Sequence, residues 1–335
     1  MPAPRRPGPS RLATIAVSAV LAATALLHGP SAGAQPAPEA GRSDLPNTYV
    51  VSQEPGVLPE GIEVTPAGRI YVTSSATGDV YVGSVGSATM STFARGSDVG
   101  RASALGVHAD ARGRVFVASP SGVDVYSPSG ELLAQRRAAA DEVTSTYLND
   151  LVITSDAVYV TDSANALMWR MGLQGNAIGE LRPWLRAREL MPSFEPGWFY
   201  LNGIDASPDG SRLLVSAQGL GALIRVDTEA AAAEFVVMDG SVFGNFGPDG
   251  MALEGDVVHG VLNYGAPDTG QGLYVARLDP EWRTGSVVAA TTDADFSTPT
   301  TVASSGGRYL VVNSQLDTAP GTPPWTVVAV PDPLG

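Results

Sequence analysis

Residues 201–216, LNGIDASPDGSRLLVS, contain the unit whose repetition determines the fold. The phrase Asn202-Gly203-Ile204 lies at its start, and the turn signal Pro208-Asp209-Gly210 follows. An apolar run, Leu213-Leu214-Val215, then ends in a small polar residue, Ser216. Pro-Asp-Gly between two apolar runs is typical of a tight hairpin. The unit therefore predicts two antiparallel strands joined by a short turn.

The opening phrase occurs six times, at intervals of 44 to 53 residues. An apolar strand follows each copy and ends in a small polar residue 13 or 14 positions after the first residue of the phrase. Repeats of this length that consist of short strands are typical of a β-propeller, with one four-stranded blade per repeat. The sequence thus predicts an all-β fold, a six-bladed β-propeller. The six phrases are Glu60-Gly61-Ile62, Leu105-Gly106-Val107, Asn149-Asp150-Leu151, Asn202-Gly203-Ile204, Asp249-Gly250-Met251 and Thr300-Thr301-Val302.

An N-terminal strand is predicted to close the ring of blades. Residues 47–52, NTYVVS, have strand character and precede the first phrase. The last blade ends at residues 325–330 and leaves its outermost place for this strand. Closure of this kind hides sheet edges that would otherwise pair with other chains. One alanine-rich tract, residues 228–234, is the best candidate for a helix, with a loop as the alternative.

The N-terminal region is predicted to direct export. Residues 1–34 combine a basic start, an uncharged and largely apolar run at 12–27, and a small-residue cleavage site at Ala32-Gly33-Ala34. This order is typical of a secretory signal peptide, with an uncleaved membrane anchor as the alternative. Residues 35–44 are predicted to be a flexible leader and residues 45–335 the propeller. We therefore expect a secreted protein.

Composition excludes several function classes. The chain has a formal net charge of −14 and contains no Lys, so we expect neither nucleic acid nor an anionic membrane as a partner. It contains no Cys, which excludes disulfides and thiol catalysis. No Gly-x-Ser-x-Gly elbow or phosphate-binding loop occurs, so Ser-His-Asp hydrolysis and nucleotide binding lack support.

The first position of the repeated phrase carries an oxygen ligand in four of its six copies. These residues are Glu60, Asn149, Asn202 and Asp249. Because blades are arranged radially, equivalent positions converge on the central channel. Hard cations such as Ca²⁺, Mg²⁺ and Mn²⁺ prefer oxygen donors, and Zn²⁺ also accepts carboxylate. The alternative is that Asn-Gly and Asp-Gly serve only as turn dipeptides.

Further polar residues at strand ends are weaker candidates for the channel lining. A long aromatic segment between the third and fourth blades, residues 184–200, is predicted to be either a lid or wall of the site or a patch packed on the blade rim. The strand-end candidates are Asp162, Asn263, Asn313 and Gln315.

The motifs resemble those of the family that includes senescence marker protein, gluconolactonase and luciferin-regenerating enzyme. The resemblance covers roughly residues 45–333, and four motifs in order at blade spacing carry it. They are Leu58-Pro59-Glu60-Gly61-Ile62, Leu148-Asn149-Asp150, Leu201-Asn202-Gly203-Ile204 and Pro248-Asp249-Gly250-Met251. The family's fold is a six-bladed propeller, which agrees with the independent count of repeats.

The resemblance implies one divalent cation, with Ca²⁺ as the first choice and Zn²⁺, Mn²⁺ or Mg²⁺ as alternatives. It implies that Glu60, Asn202 and Asp249 hold the metal and that Asn149 binds substrate or metal-associated water. Asp249 would also act as general base in hydrolysis of a lactone. Sugar lactonases of this family carry an Arg where this chain has Tyr147, a departure that concerns the sugar substrate more than the metal.

The leading hypothesis is a secreted, divalent-metal-dependent hydrolase of a lactone or related ester, with such a small molecule as its partner. In this hypothesis activated water attacks a carbonyl group that the metal polarises. The alternative is a propeller without catalytic activity that binds a small ligand or a protein.

Overall fold

Each of the six repeats forms one sheet of a β-propeller in the computed structural model, which describes residues 45–139, 145–191, 193, 199–263, 270–293 and 295–335. The predicted all-β, six-bladed fold is confirmed. The signal peptide and the leader that we predict lie outside the described residues.

The blades consist of antiparallel strands that follow one another in chain order. Blade 5 also carries a short additional strand, β18 Val237–Met238, which pairs in parallel with its outermost strand. Blade 1 comprises β2 Pro59–Val64, β3 Arg69–Ser74, β4 Val80–Ser84 and β5 Ser91–Ala94, and blade 2 comprises β6 Val107–Ala109, β7 Val115–Ser119, β8 Gly122–Tyr126 and β9 Leu132–Arg137. Blade 3 comprises β10 Leu148–Ile153, β11 Ala157–Asp162, β12 Leu167–Gln174 and β13 Ala177–Arg186, and blade 4 comprises β14 Ile204–Ala206, β15 Arg212–Ala217, β16 Ala222–Asp227 and β17 Ala232–Phe235. Blade 5 comprises β18 Val237–Met238, β19 Met251–Glu254, β20 Val257–Leu262, β21 Gly272–Leu278 and β22 Thr284–Thr291, and blade 6 comprises β23 Pro299–Ser304, β24 Arg308–Asn313, β25 Trp325–Pro331 and β1 Thr48–Ser52.

The N-terminal strand β1 completes blade 6, as the sequence predicts. It pairs antiparallel with β25, with Tyr49 opposite Val327. Trp325 is fully buried, and its indole Nε1 donates a hydrogen bond to the carbonyl oxygen of Glu54 at 2.7 Å, just beyond the strand. The first and last segments of the domain are therefore held in one sheet, and the ring is closed.

The core is divided into six apolar clusters, each of which fills the space between two neighbouring blades. Inner strands such as β11 are buried along their whole length because both of their faces pack against a neighbouring blade. This explains why their sequences are continuous apolar runs. Outermost strands such as β9 and β22 alternate between exposed and half-buried residues, since one face meets solvent.

Helical structure is limited to four short 3₁₀ turns among the described residues, at Gly96–Val99, Ala187–Leu190, Gln218–Leu220 and Leu316–Thr318. The alanine-rich tract at residues 228–234 is not a helix: a turn is followed by strand β17, because the tract lies at the hairpin of an outer blade edge. Within the described part of the chain, no helix is both long and apolar enough to span a bilayer.

A ring of hydrogen bonds around the channel joins all six blades. In every phrase the carbonyl oxygen of the first residue accepts a hydrogen bond from the preceding blade. The six bonds are Thr73 Oγ1 to Leu105 O (2.5 Å), Gly106 N to Asn149 O (2.8 Å), Thr161 Oγ1 to Asn202 O (2.8 Å), Gly203 N to Asp249 O (2.7 Å), Gly250 N to Thr300 O (2.8 Å) and Thr300 Oγ1 to Glu60 O (2.8 Å). The repeated phrase is thus the contact between neighbouring blades.

The glycines of the phrase serve this contact and not a turn. None of Gly61, Gly106, Gly203 and Gly250 has a positive φ. A Cβ atom on Gly203 would lie 2.6 Å from the carbonyl oxygen of Asp249, and one on Gly61 would lie 2.4 Å from that of Leu105. Glycine is required because the backbones of adjacent blades approach closely. The alternative reading of these phrases as turn dipeptides is wrong.

Candidate active site

The four polar residues of the repeated phrase meet in one cavity at an end of the channel. The cavity has a volume of about 690 Å³. Glu60, Asn149, Asn202 and Asp249 are 7, 3, 5 and 6% exposed, although they lie on four different blades. The structure therefore brings together the four polar residues of the repeated phrase. The described residues that line the cavity are Glu60, Ser75, Leu105, Tyr147, Asn149, Phe199, Asn202, Gln218, Gly219, Asp249 and Leu316.

Asp249 lies at the centre of a carboxamide network. Asn202 Nδ2 donates to its Oδ1 at 2.5 Å, and Asn263 Nδ2 donates to its Oδ2 at 2.5 Å. Gln218 links the two donors, because its Oε1 accepts from Asn202 at 2.7 Å and its Nε2 donates to Asn263 Oδ1 at 3.2 Å. Both carboxylate oxygens are thus fixed in direction.

Two members of this network lie outside the repeated phrase. Asn263 follows β20 directly and was a weak candidate from its place at a strand end. Gln218 follows β15 and was not predicted from the sequence, since its local sequence pattern does not distinguish it from other polar residues. The other strand-end candidates do not line the cavity and form hydrogen bonds elsewhere. Asp162 accepts one from Trp169 Nε1. Asn313 Nδ2 donates to the carbonyl oxygen of Asp295, and Gln315 Nε2 donates to that of Thr322.

The two buried acids hold their protons more tightly than ordinary carboxyl groups. Burial, followed by the negative charges of Asp249 and Asp150, keeps the pKa of Glu60 well above its usual range. Burial raises the pKa of Asp249 to about 7, although the amide donors Asn263 and Asn202 act in the opposite direction. Neither acid forms a salt bridge within the described residues. Their shared negative charge therefore needs a proton or an external cation.

The donor set fits a hard divalent cation. Asn149 Nδ2 donates to Ser163 Oγ at 3.0 Å, while Asn149 Oδ1 is buried and has no hydrogen-bond partner. An unsatisfied buried oxygen in the same cavity as two carboxyl groups is a ready ligand for a cation or for its bound water. The carboxamide of Asn202 directs nitrogen towards Asp249, and a half-turn of the group would direct its oxygen there instead.

The arrangement differs from a purely acidic metal cluster. Within the described ranges, no group of three or more His, Cys, Asp or Glu side chains has a geometry suited to a metal. A cation at this place would therefore depend on carboxamide as well as carboxylate oxygens. The roles of Glu60, Asn202 and Asp249 as ligands, of Asn149 as a substrate contact and of Asp249 as a base stay predictions.

An aromatic pair forms one wall of the cavity. The rings of Tyr147 and Phe199 meet edge to face, with centroids 4.8 Å apart and an interplanar angle of 65°. Main-chain hydrogen bonds at Ser163 hold the two segments that carry these rings: Ser163 N donates to Tyr147 O, and Tyr200 N donates to Ser163 O, each at 2.9 Å. Of the aromatic segment 184–200, Phe199 thus belongs to the site wall.

The beginning of the aromatic segment packs on the blades and is not part of the site wall. Trp184 lies in strand β13 and packs on Tyr159, with ring centroids 4.7 Å apart, at the edge of the core between blades 3 and 4. Tyr200, near the end of the segment, is 2% exposed in the same core. Residues 192 and 194–198 lie outside the described residues.

A second group of ionisable residues lines a smaller cavity of about 160 Å³, which does not include the four phrase residues. His108 Nδ1 lies 3.1 Å from Glu63 Oε2. Asp150 accepts backbone N–H bonds from Leu151 and from Ile204 of the next blade. Because His108 supplies a positive partner for the acids of this cavity, whereas Glu60 and Asp249 have none among the described residues, the first cavity is the better candidate for chemistry.

Comparisons with known proteins support the fold. No family model and no curated protein sequence matches this chain. Solved structures do match. The chain is similar to the calcium-binding protein regucalcin from Agrobacterium tumefaciens, with 15% sequence identity, a TM-score of 0.56 and coverage of 86% of this chain and 95% of that one.

Two further solved structures are similar to the same extent. A gluconolactonase from Xanthomonas campestris has 15% identity and a TM-score of 0.56, over 84% of this chain and 88% of that one. A luciferin-regenerating enzyme has 10% identity and a TM-score of 0.58, over 85% and 95%. These are the proteins whose motifs the sequence resembles, so the resemblance is confirmed at the level of the fold.

Proposed function

We propose that this protein is a secreted, divalent-metal-dependent hydrolase of a lactone or related ester. One observation carries the proposal: four blades place Glu60, Asn149, Asn202 and Asp249 in one cavity, where two buried carboxyl groups have no positive partner among the described residues. Burial of like charges is costly in free energy, and the structural role of these positions needs only their backbone. The proposal is also supported by the similar fold of a gluconolactonase and a luciferin-regenerating enzyme.

Glu60, Asn202 and Asp249 would hold the cation, with Ca²⁺ as the first choice because every donor is an oxygen. When bound, such a cation supplies Lewis-acid chemistry that polarises the substrate carbonyl and stabilises the charge that develops on its oxygen. Asn149 Oδ1 would accept a hydrogen bond from the attacking water or from the substrate, since it has no partner within the protein.

Asp249 is the proposed general base. A base works best when its pKa lies near the working pH. Without a cation, burial raises the pKa of Asp249 to about 7, and a bound cation would lower it and favour the ionised form that accepts a proton. Asp249 would take a proton from water as the water oxygen bonds to the carbonyl carbon. The bond from that carbon to the ring oxygen then breaks, and the ring oxygen recovers a proton to give a hydroxy acid.

The network around Asp249 would keep the base in position during this step. Asn202 and Asn263 each hold one carboxylate oxygen, and Gln218 holds both amides. A fixed base loses little orientational freedom when the reaction begins. Gln218 and Asn263 are thus positioning residues in this proposal.

The test measures proton release from a panel of sugar and aliphatic lactones by residues 35–335 of the protein. Each lactone is assayed with a chelator and then with Ca²⁺, Mg²⁺, Mn²⁺ or Zn²⁺ added back. We expect hydrolysis that a cation restores and that Asp249→Asn abolishes. Asp209→Asn is the matched control, because Asp209 also precedes a glycine but lies at the tip of an exposed hairpin between β14 and β15.

Two results would contradict the proposal. Hydrolysis that persists in Asp249→Asn would remove Asp249 from the mechanism, and hydrolysis that is indifferent to the chelator would remove the metal. If a lactone binds but is not hydrolysed with any of the four cations, the result favours the alternative, a propeller that binds small molecules without catalysis.

Export by the N-terminal segment is a separate part of the proposal. It rests on the basic start, the apolar run and the Ala32-Gly33-Ala34 site. Expression of the whole chain in a bacterial host, followed by mass spectrometry of the exported protein, should find a new N-terminus at Gln35. A product that keeps residues 1–34 and stays with the membrane would indicate an anchor instead.

A further inference from the structure

We infer that the substrate is an uncharged lactone or ester with a sizeable hydrocarbon part, held against the Tyr147–Phe199 ring pair. This inference rests on the proposed function, because it names the substrate class of the same cavity. It makes Tyr147 and Phe199 specificity-determining residues.

Charge in the cavity favours an uncharged substrate. The described lining includes two acids, Glu60 and Asp249, and contains neither Arg nor Lys. The chain as a whole has a net charge of −14 and no Lys. A divalent cation would offset the two acids, but the net charge of the chain would still repel an anionic substrate on approach, and the described lining offers it no side-chain cation.

The polar groups of the lining are largely occupied by one another. Asn202 is bonded to Asp249 and Gln218, and Asn149 Nδ2 is bonded to Ser163. Ser75 Oγ donates to the carbonyl oxygen of Leu58 at 2.9 Å. A ring with many hydroxyl groups needs several free donors and acceptors when it is buried, and this lining offers few of them.

The cavity lining also offers apolar surface. The Tyr147–Phe199 pair, Leu105 and Leu316 line the same cavity. Phe199 is 48% exposed, so its ring presents a free face to a ligand. Main-chain bonds at Ser163 hold Tyr147 and Tyr200, the neighbour of Phe199, and a wall that is ordered before binding lowers the cost of ordering it around a hydrocarbon.

The size of the cavity also favours a substrate larger than a simple ring. A volume of about 690 Å³ lies in the range of pockets that take drug-sized ligands, which is about 300–1,000 Å³. The carbonyl group would lie near Asp249, and the hydrocarbon part would then extend towards Tyr147 and Phe199.

The experiment compares kcat/KM for an unsubstituted δ-lactone, its propyl and pentyl derivatives, and glucono-δ-lactone. Each buried methylene group should raise kcat/KM about fourfold, so pentyl should exceed propyl about fifteenfold. Tyr147→Ser and Phe199→Ser should reduce this ratio towards one. Since Phe199 is half-exposed, its replacement leaves the core intact.

Phe243→Ser is the matched control. Phe243 is 41% exposed and also meets an aromatic partner edge to face, Phe235, with centroids 5.1 Å apart, but it does not line the cavity. This variant should keep the chain-length ratio of the wild type. A loss of the ratio in the control as well would mean that the ring pair has no special role, which overturns the inference.

The outcomes separate this inference from the proposed function. Hydrolysis with equal rates along the alkyl series, or with a preference for glucono-δ-lactone, would overturn the inference and leave the hydrolase intact. If nothing is hydrolysed, the proposed function fails, and calorimetry with the corresponding alkyl lactams decides the inference. Affinity that rises with chain length in the wild type but not in Phe199→Ser would support it; absent or length-independent binding would overturn it.

Discussion

Replacing Asp249 by Asn should flatten the pH dependence of stability of the cation-free protein. Burial raises the pKa of Asp249 to about 7, whereas an Asp in the unfolded chain has a pKa of about 3.9. Between these two pH values the folded protein holds a proton that the unfolded chain has released. Stability from this group is therefore complete below about pH 4 and is lost as the pH rises through 7.

The magnitude follows from the shift. Three pKa units correspond to about 4 kcal/mol of unfolding free energy, which gives a slope of about 1.4 kcal/mol per pH unit between pH 4 and 7. Asn does not titrate, so the variant lacks this slope. It also turns an amide nitrogen towards Asn202 or Asn263, and the lost hydrogen bond costs about 1–3 kcal/mol at every pH.

The two effects predict curves that cross. Asp249→Asn should be less stable than the wild type near pH 4.5 and more stable near pH 8. Added Ca²⁺ should restore the wild type above pH 7, because a ligand of the folded state stabilises it, and should leave the variant unchanged. A variant that removes a functional acid would thus be the more stable protein at alkaline pH.

Urea unfolding followed by Trp fluorescence, in chelator at half-unit steps from pH 4.5 to 8.5, measures both curves. The control is Asp209→Asn. Hydrogen bonds from Ser207 and Ser211 lower the pKa of Asp209 to about 2, so its contribution changes only below the range measured. If the curves of Asp249→Asn and the wild type run parallel from pH 5 to 8, Asp249 is not a buried protonated acid and the argument for a cation at this site fails.

Three further changes test the fold. Gly203→Ala should lower the melting temperature by about 3–10 °C in calorimetry, because its Cβ would overlap a backbone carbonyl of the next blade, while Gly86→Ala, whose Cβ would meet nothing within 4 Å, should not. Arg101→Met removes one of the two arginine partners of the fully buried carboxylate of Asp124, 2.8 Å away, and should cost about 1–3 kcal/mol in urea unfolding, because Arg137 still pairs with Asp124 at 2.7 Å; an unchanged midpoint would refute that role. Removal of residues 45–52 opens the outer edge of blade 6 and should produce aggregates in size-exclusion chromatography, whereas a stable monomer would show that closure is dispensable.

The fold could be predicted because its signals are local and repeated. Each hairpin of a blade carries its own turn residues, and each inner strand is apolar throughout because two blades cover it. The alanine-rich tract at residues 228–234 misled the prediction for the same reason. Its helix propensity is local, while pairing of β17 with β16 in blade 4 determines its actual structure.

The site could be predicted only as far as the repeat extends. Glu60, Asn149, Asn202 and Asp249 share one position in six repeats, so radial symmetry places them together. Gln218 and the ring of Phe199 reach the cavity through segments whose path depends on packing between blades. No spacing in the sequence encodes that path.

The ring of hydrogen bonds explains why the phrase identifies a site. The first residue of each phrase holds the neighbouring blade through its carbonyl oxygen, which every residue type possesses. Leu105 and Thr300 occupy that position in two blades without loss of the bond, so the fold requires no polar side chain there. Carboxyl and carboxamide groups at the other four positions lie buried at a cost in stability that the fold does not explain. We propose that a ligand in the channel is the reason for that cost, and the stability curves of Asp249→Asn and the wild type test the proposal directly.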